Sequence, residues 1–293
     1  MPSAPTAEDT VGAPIALPVR PVTGLLTACH PLPAAAVTAF TATLAAAVGH
    51  SLPGGTVTVC AVAAGQLSVG WCNDRIDLRR DRKAQRRDKP LATGQARPGA
   101  VTVAAASALA LCILLSTACG PLAGCTHLGG VAAAWWYNLH LKRTAASWLP
   151  YAFAFGTLPA FVTLALPSGS WPPLWLMAAA ALLGTGAHFA NVLPDIDHDL
   201  EAGVTGLPQR LGRRWSGPMA ALLVLASSFV LVLAPPGSAP VSGWAVLGFT
   251  TLLCTAALTR TLRAADGKLA FRATMAISGA DVVQLLLHGT DLR

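Results

Sequence analysis

Asn73, Asp74, Asp77 and Asp81 sit at spacings that gather them on one side of a helix, and Asn191, Asp195 and Asp199 repeat the pattern 118 residues further on. In each set the asparagine and two aspartates stand at i, i+4 and i+8. At about 100° per residue, four-residue steps drift by only about 40° each, so the three share a face. Asp197, about 200° from Asp195, falls off that face. Like charges on one helical face repel, and carboxylates with too few basic neighbours on their own face invite a divalent cation. Mg2+ binds through one or two carboxylates together with waters and substrate phosphates. Two such faces across a cavity would each hold a Mg2+ and clamp one diphosphate between them, with nearby Lys and Arg taking the remaining charge. A solvated face whose basic residues touch lipid headgroups explains one cluster but not two matching ones.

The helices that carry these clusters must be set in lipid. The chain has 293 residues, 54% hydrophobic and 11% charged, with mean hydropathy +0.56, against about 25% charged residues in soluble domains. Apolar runs between turn signals define nine expected spans: 22–48, 53–72, 98–119, 123–140, 149–166, 172–193, 215–234, 241–259 and 269–288. The runs are too long and too little alternating for strands. The fold class expected is therefore an all-α membrane protein, about nine transmembrane helices around a central cavity with a cytoplasmic Asp-rich mouth. Residues 1–20, with neither a basic start nor a continuous apolar run, are expected to form a disordered cytoplasmic tail. The seven cysteines include no CxxC pair and are expected to be small packed residues.

Charge sets the orientation. The second connection holds nine Lys/Arg between Arg75 and Arg97; the fourth holds Lys142 and Arg143, the sixth Arg210, Arg213 and Arg214, the eighth Arg260, Arg263 and Lys268. The odd connections hold none. Positive charge stays inside, so the amino terminus and all even loops are expected in the cytoplasm. Both carboxylate clusters then face the same side. A diphosphate offered to a cavity inside a helical bundle implies an amphiphile with a long apolar tail. Loss of the diphosphate would leave an allylic cation that the dry interior protects.

Other polar residues have blander readings. His188, seven residues before Asp195, points toward the same cavity and is expected to be a satisfied interhelical group or an acceptor contact. Asp281, Gln284 and His288 are expected to make interhelical hydrogen bonds in the ninth span. His30, beside Pro31 and Pro33, is placed to break the first span near the headgroups. Trp135, Trp136, Trp148 and Trp171 read as interfacial anchors.

The run "NDRIDLRRD" resembles the NDxxDxxxD motif of the UbiA superfamily of intramembrane prenyltransferases, and "NVLPDIDHD" followed by "GVTGLPQRLG" its second Asp-rich motif and loop. "KPLATG" and "YNLHLKR" resemble the loop after the first motif and the tyrosine with its basic pair. The resemblance covers roughly residues 21–288 within an expected domain of 21–293, two four-helix repeats plus a ninth helix. It implies a Mg2+-dependent transfer of a prenyl group from a prenyl diphosphate to a lipophilic or aromatic acceptor, in the cell membrane and without nucleic acid. It implies metal binding by Asn73, Asp74, Asp77, Asp81, Asn191, Asp195 and Asp199, with Asp77 and Asp195 central to catalysis. Lys142 and Arg143 would bind the diphosphate, and Tyr137 would lie near the reacting carbon. Val192 departs from the pattern, since the family often has aspartate there, which would weaken the second metal site. The same motifs also serve a membrane terpene cyclase and phosphoribosyl transfer to a polyprenyl phosphate. A divalent-cation transporter would need acidic residues deeper along a pathway, and none lies between the clusters and the midplane.

Overall fold

The computed structural model describes residues 21–264, 272–274, 276–277 and 279–281. Every element in it is helical. The expected first span is two helices, α1 (Pro21–Ala28) and α2 (Pro31–Ala47), bent by 63°. Proline at position 31 cannot follow a helical residue without a clash, and it offers no N–H to Thr27. His30 takes up the turn in the left-handed region at φ 56°.

The second span, α3 (Leu52–Lys83), runs 32 residues. That is about 48 Å, well beyond a hydrocarbon core of about 30 Å, so its last turns carry Asn73 to Asp81 past the apolar zone. Ser51 caps its start by accepting from the Gly54 N–H at 3.3 Å, and Arg80, Arg82 and Lys83 complement its carboxyl end. Then come α4 (Pro98–Ala118), α5 (Pro121–Leu139), α6 (Leu149–Leu164) and α7 (Leu174–Val192). A short 3-10 turn, Leu193–Asp195, leads to α8 (Ile196–Glu201), followed by α9 (Leu207–Leu233) and α10 (Val241–Ala264). Gly212, at φ 71° and ψ 173°, kinks α9.

Successive long helices pack on one another, and α2 also meets α6. At the end away from the aspartates, Leu44, Val162, Leu176, Ala179 and Leu231 lock α2, α6, α7 and α9 together. The outward surface is apolar: Val103, Leu114, Leu222 and Leu252 are each more than 60% exposed. A soluble protein does not present such a surface, whereas lipid accepts it. By length and composition α3, α4, the α7–α8 pair, α9 and α10 can each cross a membrane, and the bent α1–α2 pair makes a sixth. The expected spans 123–140 and 149–166 are helical as α5 and α6, but α6 is only 16 residues long. The expected ninth span, 269–288, lies largely outside the described residues, as do Gln284 and His288. Residues 1–20 lie outside them too.

The break between α1 and α2 is pressed onto α3 at Gly70. A Cβ there would come within 2.1 Å of the Cys29 carbonyl oxygen and 2.7 Å of its carbon. Backbone cannot yield as a side-chain tip can, so overpacking should cost at least the usual ~1–3 kcal/mol. Gly70→Ala is expected to lower the melting midpoint in detergent by roughly 3–10 °C. A midpoint unchanged by intrinsic fluorescence would show that the break moves off α3 freely.

Candidate functional site at the charged end of the bundle

The end of α3 brings the first cluster into a closed setting. Asp74, Asp77 and Asp81 are almost fully buried, at 2–3% exposure. Each meets cations. Asp74 Oδ1 accepts from Lys89 Nζ at 2.7 Å and lies 2.9 Å from His30 Nε2. Asp77 accepts from Lys142 Nζ through Oδ1 and from Arg80 through Oδ2 at 2.9 Å. Asp81 pairs with Arg80 Nε at 3.4 Å. Asn73 donates to Asn138 Oδ1 at 2.9 Å, and Asn138 donates in turn to the Val69 carbonyl at 3.0 Å, which fixes both amides.

The second cluster comes from α7 and α8, which do not form one regular helix. The 3-10 turn at Leu193–Asp195 breaks it, because Pro194 cannot donate to residue 190. The expected single face through Asn191, Asp195 and Asp199 is therefore bent. Asp199 accepts from Gln209 Nε2 at 2.9 Å and lies 3.9 Å from Arg80 NH1, while Asp195, 42% exposed, lies 3.4 Å from Arg86 NH1. Asp197 turns outward, 70% exposed, and pairs with Arg213. Arg213 also donates to the Leu193 and Pro194 carbonyls, holding the turn in place. Arg80 thus joins the two clusters directly, Arg86 ties Asp195 to Asp88, and the expectation of carboxylates without basic neighbours is corrected. Arg80 lies one turn from Asp77 on the same helix, and Arg86 and Lys89 return from the loop after α3.

Lys142, 4% exposed, is carried by the turn Leu141–Arg143 after α5. Burial pushes its ammonium below the usual lysine range, and the Asp77 carboxylate opposes that shift. Arg143 is exposed and enters the network through its carbonyl, which accepts from Thr205 Oγ1 at 2.8 Å. The Arg86 hydrogen bonds hold Asp88 down to about 2 against partial burial.

Beneath this charged end lies a cavity of about 240 Å³, lined by His30, Asn73, Tyr137, Asn138, Tyr151 and Asn191 among others. A second cavity of about 340 Å³ shares Val37, Tyr151, Phe155 and Asn191 with it and continues between Ala36, Phe40, Ala180 and Leu183. Tyr137 stands edge-on to Tyr151, with ring centroids 5.2 Å apart, and to His188 at 5.5 Å; Tyr151 stacks on His188 at 4.5 Å. The His188 Nε2 lies 3.1 Å from Ser147 Oγ, which accepts from the Leu207 N–H at 2.9 Å.

The structure therefore brings Asn73, Asp74, Asp77, Asp81, Asp195, Asp199 and Lys142 to one end of the bundle, with Asn191 and Tyr137 in the cavity wall below; Arg143 alone keeps its side chain apart. Sequence reasoning missed Arg80, Arg86, Lys89, Tyr151, Asn138 and Gln209. Arg80 was findable from its i+3 spacing to Asp77; the others meet the site only through helix packing. Trp135 was misplaced as an anchor, since its indole donates inward to Ser68 Oγ at 3.3 Å. Asp281 makes the expected interhelical bond, accepting from Ser228 Oγ at 2.8 Å.

Among the described residues no three His, Cys, Asp or Glu side chains are already gathered to hold a metal. The oxygen donors still suit a hard cation such as Mg2+, which needs few carboxylates when substrate phosphates and waters complete its shell.

The fold and this site define an all-helical, multi-pass membrane protein whose two carboxylate clusters meet at one end of an internal cavity. The chain belongs to the UbiA prenyltransferase family, whose model matches residues 34–279. Among solved structures it is similar to a UbiA homolog from Archaeoglobus fulgidus bound to GPP and Mg2+ (16% identity, TM-score 0.65, covering 91% of this chain and 99% of that one). It is equally similar to an apo UbiA homolog from Aeropyrum pernix K1 (18%, TM-score 0.65, 92% and 99%). A structure described for digeranylgeranylglyceryl phosphate synthase in membranes also matches (16%, TM-score 0.65, 92% and 99%). At these identities the likeness establishes a common fold. Sequence comparison with curated proteins gives no match.

Proposed function

We propose that this chain is a Mg2+-dependent intramembrane prenyltransferase that ionises a prenyl diphosphate and passes the prenyl group to an acceptor, which we take to be aromatic. The observation that carries the reading is the convergence of two carboxylate clusters and Lys142 over a cavity that turns apolar within the bundle. The similar Archaeoglobus structures, bound to GPP or DMAPP with Mg2+, support it.

Asn73, Asp74, Asp77 and Asp81 would hold one Mg2+, and Asn191, Asp195 and Asp199 the other. The bound metal would supply the positive charge that makes diphosphate a good leaving group. Lys142 and Arg80 take the remaining phosphate charge, and Arg143 would join them only if its exposed side chain swung in. For this, Arg80 and Lys142 must exchange their carboxylate partners for phosphate oxygens. The C1–O bond breaks with both electrons leaving on the diphosphate. Tyr137 and Tyr151 then line the cavity where their ring faces can stabilise the allylic cation. The acceptor carbon attacks C1 and then loses its proton, which the released diphosphate can take up. The apolar continuation between Phe40, Ala180 and Leu183 takes the prenyl tail and keeps water away.

Helices α3 and α7, which carry the two motif asparagines Asn73 and Asn191, stand four long helices apart, which supports a repeat of four-helix units with a ninth helix added. The basic loops support a cytoplasmic placement for this end and for the amino terminus.

The test incubates purified protein with geranyl or geranylgeranyl diphosphate and Mg2+, with and without a panel of phenolic acceptors. Prenylated acceptor is the expected product. Cyclised hydrocarbon formed without acceptor would assign the site to a terpene cyclase, and no diphosphate release under any condition would overturn the ionisation chemistry.

A further inference from the structure

A third cavity, about 50 Å³, opens off the first and shares Val37, Gln66, Val69, Ala134 and Phe155 with it. Its walls are Val62, Val131 and Leu158, but Gln66 of α3 and His127 of α5 also face it. Polar groups inside a membrane bundle are costly unless they meet a partner. The partners of these two are therefore informative.

His127 is 8% exposed and held rigidly. Its ring stacks on Phe161 at 4.4 Å and 14°. Its Nδ1 lies 2.8 Å from Ser116 Oγ. That hydroxyl, wholly buried, donates its single hydrogen to the Cys112 carbonyl at 2.6 Å. It must accept from the imidazole, so Nδ1 carries the proton and Nε2 is left as a bare acceptor. The Nε2 lies toward α3 near Gly65, where a Cβ would stand 3.4 Å from it. The Gln66 amide, next along α3, has no hydrogen-bond partner among the described residues. An acceptor and an amide thus look into the same small space unpaired.

A prenyl chain is a hydrocarbon and offers nothing to either group. The larger apolar cavity between Phe40 and Leu183 suits it instead. Building on the prenyltransferase reading, we propose that the Gln66–His127 branch is a subsite for the acceptor, and that it binds a hydroxyl group which donates to His127 Nε2 while the Gln66 amide contacts the same oxygen. Gln66 lies seven residues below Asn73 on α3, and His127 ten residues from Tyr137 on α5. At 1.5 Å per residue, the hydroxyl sits about 10–15 Å from the carbon that is prenylated. The acceptor is then an elongated, mostly apolar molecule of about three fused rings or equivalent length, with a hydroxyl at its far end.

The test titrates purified protein in detergent with 2-anthrol and with anthracene, following their fluorescence and correcting for partition into empty micelles. Wild type is expected to bind the phenol about tenfold more tightly, the scale of one or two buried hydrogen bonds. His127→Phe, which keeps the stack on Phe161, and Gln66→Leu should each bring the ratio close to one. Equal affinities in wild type, as expected if water alone fills the branch, overturn the proposal without need of any variant. A preference that survives both substitutions overturns it as well. Titration with geranyl thiolodiphosphate and Mg2+ reports on the donor pocket separately: its failure to bind wild type defeats the prenyltransferase reading, whatever the ring compounds do.

Discussion

Asp77→Asn is expected to reduce diphosphate release from geranylgeranyl diphosphate by at least about 100-fold, the scale seen when one preorganised electrostatic contact to a transition state is lost, while the protein still elutes as a folded species. Asp77 is 3% exposed and receives both Lys142 and Arg80. Alanine would leave the buried Lys142 ammonium with neither counter-charge nor hydrogen-bond acceptor, a larger loss that confuses folding with chemistry. Asparagine keeps an oxygen for Lys142 and removes only the charge. The pH profile should shift as well. Burial already depresses Lys142, and Asp77 opposes that depression. With the carboxylate gone, Lys142 falls further below the ordinary lysine range. Residual activity that needs the ammonium should then be lost at a lower pH than in wild type. Turnover within a few-fold of wild type would remove Asp77 from the reaction.

Chelation by EDTA is expected to stop diphosphate release completely, and excess Mg2+ to restore it. The arrangement of cations makes a sharper expectation about order. Lys89, Lys142, Arg80 and Arg86 between them already pair with Asp74, Asp77, Asp81, Asp195 and Asp199. A divalent ion arriving alone must displace these partners and bring acidic groups together against their mutual repulsion. An ion arriving with diphosphate lets the freed Arg and Lys turn to phosphate oxygens. Calorimetric titration of Mg2+ should therefore show weak binding to the protein alone and at least about tenfold tighter binding with geranyl thiolodiphosphate present, a coupling of about 1.4 kcal/mol. Full turnover in EDTA would exclude the metal from the reaction. Equal Mg2+ affinity with and without the analogue would show that the cations do not compete.

Much of the site was legible because it is periodic. Asn73, Asp77 and Asp81 are placed by the turn of one helix, and the structure puts them on a single continuous α3. The second cluster was read with the same rule and came out bent, since Pro194 interrupts the hydrogen-bond ladder that the rule assumes. The Pro31 signal was also visible, yet the consequence was not. His30 was given a structural role at the helix break, and the 63° bend delivers its ring to Asp74 and Lys89.

Composition and periodicity, by themselves, established a helical membrane chain with two acidic helix ends, because lipid solubility and the 3.6-residue turn are properties of neighbouring residues. Only the tertiary structure decided which cation meets which carboxylate, that Tyr151 and His188 stand beside Tyr137, and that Gln66 and His127 share a side branch. Those meetings depend on how each helix is rotated and shifted along its neighbour. Close contacts such as Gly70 against Cys29 and Gly186 against Val224 set that register, and nothing local to either helix specifies it.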